Sequence, residues 1–156
     1  KHWKSIEQVY KKAPYWEEYS SKLKELYEKE YSKISELCLD QLKLICEFLE
    51  IDTKIVRASE LPEFESKKEQ LALDICKEVG ATHYISGKMG RDYIDVGNFE
   101  KEGIKVTFQS YEHPKYSQLW GEFAPYMNVF DLIFNEGEKS KEIILSGNIT
   151  KEDLKE

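Results

Sequence analysis

The sequence predicts an α/β fold, a small parallel sheet of three strands with flanking helices and a helical N-terminal third. Three observations carry this. Apolar residues recur at helical spacing through the first third. Short β-branched runs then alternate with helical stretches. Strand, helix, strand, helix, strand at these lengths implies right-handed crossovers and hence parallel pairing. With 156 residues, 40% of them hydrophobic and 13% aromatic, the chain can close one core and is short for two ordinary domains. A single domain over 1–156 is therefore expected: a helical segment at 1–52, a βαβαβ core with C-terminal helices at 53–147, and a frayed polar tail at 148–156.

The elements follow in order. In the first third Pro14 is the only breaker. The clearest helix is Glu30–Glu50, whose polar residues Glu36, Asp40, Lys43, Glu47 and Glu50 form one stripe, while Leu37, Cys38, Leu39, Leu42, Leu44, Ile45, Phe48 and Leu49 predict burial on most other sides. Lys54–Ala58 reads as the first strand. Ser66-Lys67-Lys68-Glu69 has capping-box form and opens a helix with the face Leu71, Ala72, Ile75, Cys76 and Val79, stopped by Gly80. Thr82–Ser86 is the second strand, Asp95–Glu102 a short helical turn ending at Gly103, and Ile104–Gln109 the third strand. A proline-anchored loop from His113-Pro114 to Pro125 leads into a helix from about Asn128.

Composition narrows the function classes. Lys and Arg number 23 against 30 Asp and Glu, a net charge of −7 that leaves no cationic footprint for a phosphate backbone, so no nucleic-acid partner is expected. Apolar runs such as Leu37–Leu39 and Val129–Phe134 fall far short of the ~20 residues a membrane span requires. The opening Lys1-His2-Trp3-Lys4 precedes no apolar core or cleavage site, so a soluble, cytoplasmic protein is expected, and the lack of an initiator methionine reads as a truncated start. Cys38, Cys46 and Cys76 show no Cys-x-x-Cys spacing and are expected as buried reduced thiols. His2, His83 and His113 are too scattered to form a metal motif without help from the fold, and the cofactor is left unknown by the residues.

Three segments carry the residue types of a binding site. Ser86-Gly87-Lys88-Met89-Gly90-Arg91-Asp92-Tyr93 leaves the carboxyl end of a predicted parallel strand, where open α/β sheets bind ligands. Gly87 and Gly90 would let backbone N–H groups approach an anion, Ser86 adds a hydroxyl, and Lys88 or Arg91 a compensating charge. The alternative is a plain turn, with positive φ at both glycines and Arg91 paired to Asp92 or Asp95. Asn128, Asp131 and Asn135 lie at i, i+3 and i+7, one polar row on an otherwise apolar helix. That row either meets solvent or is buried and hydrogen-bonded, where Asp131 fixes a ligand hydroxyl, orients His113 or caps loop N–H groups. In the loop, His113 is suited to proton transfer near neutrality or to a structural hydrogen bond, and Tyr116, Gln118 and Trp120 either bind a ligand or pack the loop down. Arg57 and Glu60 close the first strand at the same expected edge and read as an ion pair. Tyr10, Tyr15, Trp16 and Tyr19 are explained by helix packing around Pro14 before any stacking role.

Taken in order, Lys12-Ala13-Pro14-Tyr15, Arg57-Ala58-Ser59-Glu60-Leu61, Ser86-Gly87 with Gly90-Arg91-Asp92-Tyr93, His113-Pro114-x-Tyr116-x-Gln118 and Asp131-Leu132-x-Phe134-Asn135-x-Gly137 resemble the WbqC-like proteins of bacterial surface-polysaccharide gene clusters. The resemblance runs to about Leu145. It implies a context of O-antigen and related glycan biosynthesis, with transfer of an amino-acid or acyl group to a sugar as the reaction considered. The family's His-Gln-Pro-x-Tyr-x-Pro-Trp segment, which resembles the nucleotide-binding histidine motif of nucleotidyltransferase-like folds, is absent here. The chain is thus expected to begin partway through the family pattern. Asn128 stands where that pattern implies a small hydroxyl residue.

The expected function is a transferase-type enzyme, or the carboxyl-terminal part of one, that takes a small anionic substrate, a nucleotide or nucleotide-sugar. Ser86, Gly87, Gly90 and Arg91 would hold phosphate, with Arg57, Tyr93, Tyr116, Gln118, Asn128 and Asn135 lining the substrate and His113 and Asp131 as the catalytic pair. The alternative is a non-catalytic interaction or nucleotide-binding module. Either a pathway enzyme or a second copy of the chain is the partner expected.

Overall fold

The computed structural model describes residues 2–150 and Leu154. The expected frayed tail therefore lies largely outside the described residues. The chain groups into two compact units, the first made of Lys1–Thr53 with His113–Gly147, the second of Lys54–Glu112 with Asn148–Glu156.

The first unit is helical. It contains α1 (His2–Tyr10), α2 (Trp16–Glu28) and α3 (Ile34–Phe48), and, after the 113–128 loop, α6 (Val129–Glu136) and α7 (Ser140–Ser146). Trp16, Tyr19, Leu23 and Leu26 recur every three or four residues along α2, so one helical face enters the core and meets Phe130, Ile133 and Phe134 of α6. The early aromatic residues pack inside, as expected: Trp16 lies 4.9 Å from the Phe134 ring and 5.4 Å from Trp3, and Tyr19 meets Phe48 edge-on at 4.8 Å. Gly137 ends α6 at φ +54, and a Cβ there would stand 2.4 Å from the Tyr15 ring. Only glycine fits both requirements.

The helix expected at Glu30–Glu50 forms as α3, but it is not covered on most sides. Leu44 is its one fully buried residue, while Ile34, Cys38 and Leu42 are exposed. Hydrophobic spacing reports a helix, whereas coverage depends on how many neighbours arrive, and α3 packs chiefly along one side against α2. Of the three cysteines expected inside, Cys76 is buried, Cys46 intermediate and Cys38 exposed.

The second unit is α/β. Helix α4 (Lys68–Glu78) leads to β1 (His83–Gly87), a 3-10 turn at Lys88–Asp92, α5 (Val96–Lys101) and β2 (Lys105–Gln109). The strands pair in parallel, with Tyr84 opposite Val106 and Ser86 opposite Phe108. The sheet has two strands, and the third one expected at Lys54–Ala58 does not form. Arg57 is extended at φ −85 and ψ 129, but Ile55 and Val56 are exposed and no ladder includes them. β-Branched residues favour extended backbone, and a strand also requires a neighbour to pair with. One sheet face carries Tyr84, Val106 and Phe108 toward Leu73, Cys76, Ile94, Phe99 and Ile104, with Tyr84 stacked on Phe99 at 5.2 Å.

Turn chemistry explains the α4 and α5 boundaries. Gly80 and Gly103 take positive φ after α4 and α5, as their positions predict. Asp95 caps α5, accepting from the Gly97 N–H at 3.0 Å. The capping box at Ser66–Glu69 is not made: Ser66 Oγ donates instead to Asp74 at 2.6 Å, and Glu69 accepts from Asn98 at 3.2 Å. The buried face of α4 is accordingly Leu73 and Cys76, with Val79 exposed.

Candidate functional site

In the first unit the site grows from the amino end of α6. Asn128 caps this helix, its side chain accepting from the Phe130 N–H at 3.0 Å, and that fixes Asp131 in the first turn, where the helix dipole favours negative charge. Asp131 is 6% exposed. A buried carboxylate must find donors. Asp131 Oδ2 accepts from the Tyr116 hydroxyl at 2.9 Å and from Gln118 Nε2 at 3.0 Å, and the Tyr10 hydroxyl of α1 hydrogen-bonds to the same carboxylate. Of the polar row, Asp131 and Asn135 are buried and Asn128 sits at the exposed cap. Asn135 donates to the Asp131 carbonyl at 2.7 Å. Asp131 thus gathers side-chain donors from α1 and the loop.

Gln118 extends the network into the loop. Its Oε1 accepts from the Ala124 N–H at 2.8 Å and its Nε2 donates to the Ala124 carbonyl at 2.9 Å. The carboxamide thereby acts as a backbone partner that closes residues 119–123, and the second Nε2 proton is the one given to Asp131. Ser117 N donates to Glu136 Oε1 at 2.8 Å, which ties the loop to the far end of α6.

His113 lies among rings, 4.9 Å from Tyr126, 5.9 Å from Phe123 and 6.2 Å from Tyr116. Its Nε2 faces the Tyr126 N–H at 3.2 Å, which can only donate, and its Nδ1 faces the Pro114 carbonyl at 2.8 Å, which can only accept. The network therefore assigns the neutral ring with its proton on Nδ1. Both nitrogens are in use. Asp131 is not the group that orients this ring.

Electrostatics follow from the same geometry. Burial raises the Tyr10 hydroxyl, with the Asp131 hydrogen bond and charge adding to it. The Tyr116 hydroxyl is pushed up to about 12 by burial, the Gln118 bond opposing and the Asp131 bond and charge reinforcing the shift. Both hydroxyls stay protonated donors throughout the physiological range.

The second unit holds the other group of expected site residues. Ser86 is buried on the covered face of β1, and Gly90 packs against it so closely that a Cβ would fall 2.1 Å from Ser86 Oγ. Gly90 is therefore a packing glycine. Gly87 is extended at φ −67 with open space around it, and neither glycine has the positive φ that a plain turn would have required. Arg91 sets its guanidinium 5.0 Å over the Phe108 ring, and the described ion pairs include none between it and Asp92 or Asp95. Lys88 and Tyr93 are exposed on the same turn. Arg57 makes the expected contact with Glu60, at 3.9 Å.

Sequence reading missed the Tyr10 hydroxyl as a site group, because spacing on α1 gave it only a packing role. It also missed the use of Ala124, whose contribution is backbone. Among the described residues no helix is long and apolar enough to cross a membrane.

Comparison with known proteins places this geometry in a lineage. The chain is 32% identical over 145 residues to the uncharacterized protein Rv1507c of Mycobacterium tuberculosis, covering 92% of this chain and 62% of that protein. The chain thus spans somewhat under two thirds of the length of this curated relative. No solved structure matches it. A profile of the WbqC-like protein family matches residues 1–143, which include α1, the 113–128 loop and α6, and the chain belongs to that family.

Proposed function

We propose that the chain is a transferase-type enzyme of bacterial surface-polysaccharide assembly, acting on a nucleotide-activated sugar or a similar anionic donor, with Asp131 as its hydroxyl-positioning group and proton acceptor. The observation that carries this reading is the environment of Asp131, a buried carboxylate held by two tyrosine hydroxyls and a carboxamide. Burying a carboxylate costs several kcal/mol, and apolar residues of similar volume commonly serve stability better. Such a group suits a task that apolar residues cannot perform. An incoming acceptor hydroxyl can donate to this carboxylate and pass its proton to it as the oxygen attacks the activated carbon and the leaving group departs with its electron pair. Tyr10 and Tyr116, fixed as donors, keep the carboxylate oriented.

In the second unit, taken by itself, Arg91 and Lys88, exposed on the turn after β1, offer charge to an anionic ligand, and Tyr93 offers it a ring. Ser86 and Gly90 set the shape of that turn from beneath. Arg57, Asn128 and Asn135 act through the segments they hold. His113 keeps the aromatic loop in place.

Asp131→Asn tests the assignment, because the amide preserves size and can still accept from a tyrosine. Its melting temperature should remain within a few degrees of the parent while turnover of nucleotide-sugar donors falls by about 100-fold or more, the usual range for a lost acid–base group. Turnover at the parent rate would sink the assignment. A second reading, a non-catalytic module that binds a pathway enzyme, rests on the exposed stripe Ile34, Cys38 and Leu42 along α3. It predicts co-purification that Leu42→Lys abolishes.

A further inference from the structure

We infer that the loop between Tyr116 and Asn128 is a saccharide platform on which Trp120 stacks against the apolar face of a sugar ring, with Tyr126 as a second ring of the same site. The inference rests on the proposed function and specifies the part of the substrate that the first unit holds.

Trp120 is 58% exposed although tryptophan is highly buried on average. It is nevertheless fixed, since its Nε1–H donates to the Val9 carbonyl near the end of α1 at 3.2 Å. The polar edge of the ring is thereby used and its faces are left over. The backbone beneath is equally constrained: Gln118 clasps both polar groups of Ala124, and Gly121 turns the chain at φ +65. Tyr126 is 79% exposed and adopts φ +62, an unfavourable conformation for a bulky residue that persists only where its surroundings enforce it. The bond from its N–H to His113 Nε2 supplies part of that enforcement.

The loop thus exposes two aromatic rings at little further conformational cost, which is what a weakly apolar ligand requires for useful affinity. A pyranose ring has one face of C–H groups and a rim of hydroxyls, so it matches an aromatic face bordered by polar groups. A protein partner fits less well. Even with the exposed Ala124, Pro125 and Met127 beside them, two rings of about 150–250 Å² each stay below the roughly 800 Å² that each partner gives to a standard protein interface. Of the aromatic residues that the sequence offered for stacking, Trp16 and Tyr19 are buried in the helical core, and Tyr10 and Tyr15 are half-buried and packed against it.

The test uses the full chain and isothermal titration calorimetry, whose signal does not depend on the indole that the Trp120 variants remove. Three sets of probes are titrated: free hexoses and N-acetylhexosamines, their nucleoside-diphosphate esters, and the nucleoside diphosphates alone. Saturable change with sugars and sugar esters is expected. It should weaken by about tenfold or more in Trp120→Ala, the equivalent of about 1.4 kcal/mol, and largely survive in Trp120→Phe. No response to any sugar-bearing probe, equal affinity in Trp120→Ala, or a response to the diphosphates alone would overturn the platform. Circular dichroism of each variant confirms that it is folded. Sugar binding without turnover would leave the platform standing and remove the transferase reading. Turnover unaffected by Trp120→Ala would do the reverse.

Discussion

Asp131 shows at the scale of one residue how a fold and a function compete. Its carboxylate is sheltered from water and leans on protonated donors, and the Tyr10 and Tyr116 hydroxyls are raised by their own burial first, with Asp131 adding to the shift. Burial also pushes the Tyr19 hydroxyl up to about 12, with the neighbouring Glu18 reinforcing the shift. The sign of the linkage is fixed. A folded-state pKa above the unfolded value near 10 means that the native state holds the proton longer, so the stabilisation is complete below about pH 10 and is lost as pH rises through about 12. Phenolate absorbance should therefore show Tyr10, Tyr19 and Tyr116 titrating after the exposed tyrosines, and Tyr116→Phe should flatten the alkaline fall in stability. Normal titration of all tyrosines near pH 10 would contradict the account. Asp131 was legible in the sequence as a polar residue on an apolar helix, and so was the choice between solvent and burial. Its donors were only half legible, since Tyr116 and Gln118 lie on a neighbouring loop while Tyr10 arrives from α1.

At the scale of elements, the glycines separate shape from function. Gly137→Ala should destabilise the first unit by about 2 kcal/mol or more, because it meets both an unfavourable φ and the Tyr15 ring. Urea denaturation gives the figure, and a loss below ~0.5 kcal/mol would contradict the packing described. Gly90→Ala should also destabilise, and Ser86→Ala in the same chain should recover part of the loss by removing the hydroxyl that the new Cβ meets at 2.1 Å. If Gly90 served mainly as a phosphate cradle, Ser86→Ala would recover nothing. Most elements were legible because their signals are local: the spacing of α2 and α3 and the stop at Gly80. The strand expected at Lys54–Ala58 was not, since β pairing depends on a partner that no local pattern reveals. The closing of the 119–123 loop by one glutamine was hidden for the same reason, as it joins a side chain to backbone six residues away.

Across the whole molecule, two compact units carry two sets of site residues, each with its own core. Amide exchange should be slowest in α2 and α6 around Leu23 and Phe134 and in the second unit near Phe99, and fast through the irregular residues 51–57. Equal protection of residues 51–57 would mean that they pair as a strand after all. The family was legible because its motifs are spread in order along the chain, whereas the reaction was not, because no motif here has the fixed spacing of a known catalytic device. The central claim is that Asp131 anchors a ligand site in the first unit. Its most direct test is thermal stability of the chain and its Asp131→Asn variant against nucleotide-sugars, where a specific ligand at a hundredfold excess over its dissociation constant adds about 2.7 kcal/mol. The account predicts stabilisation of the parent that Asp131→Asn abolishes; stabilisation of equal size in Asp131→Asn would contradict it.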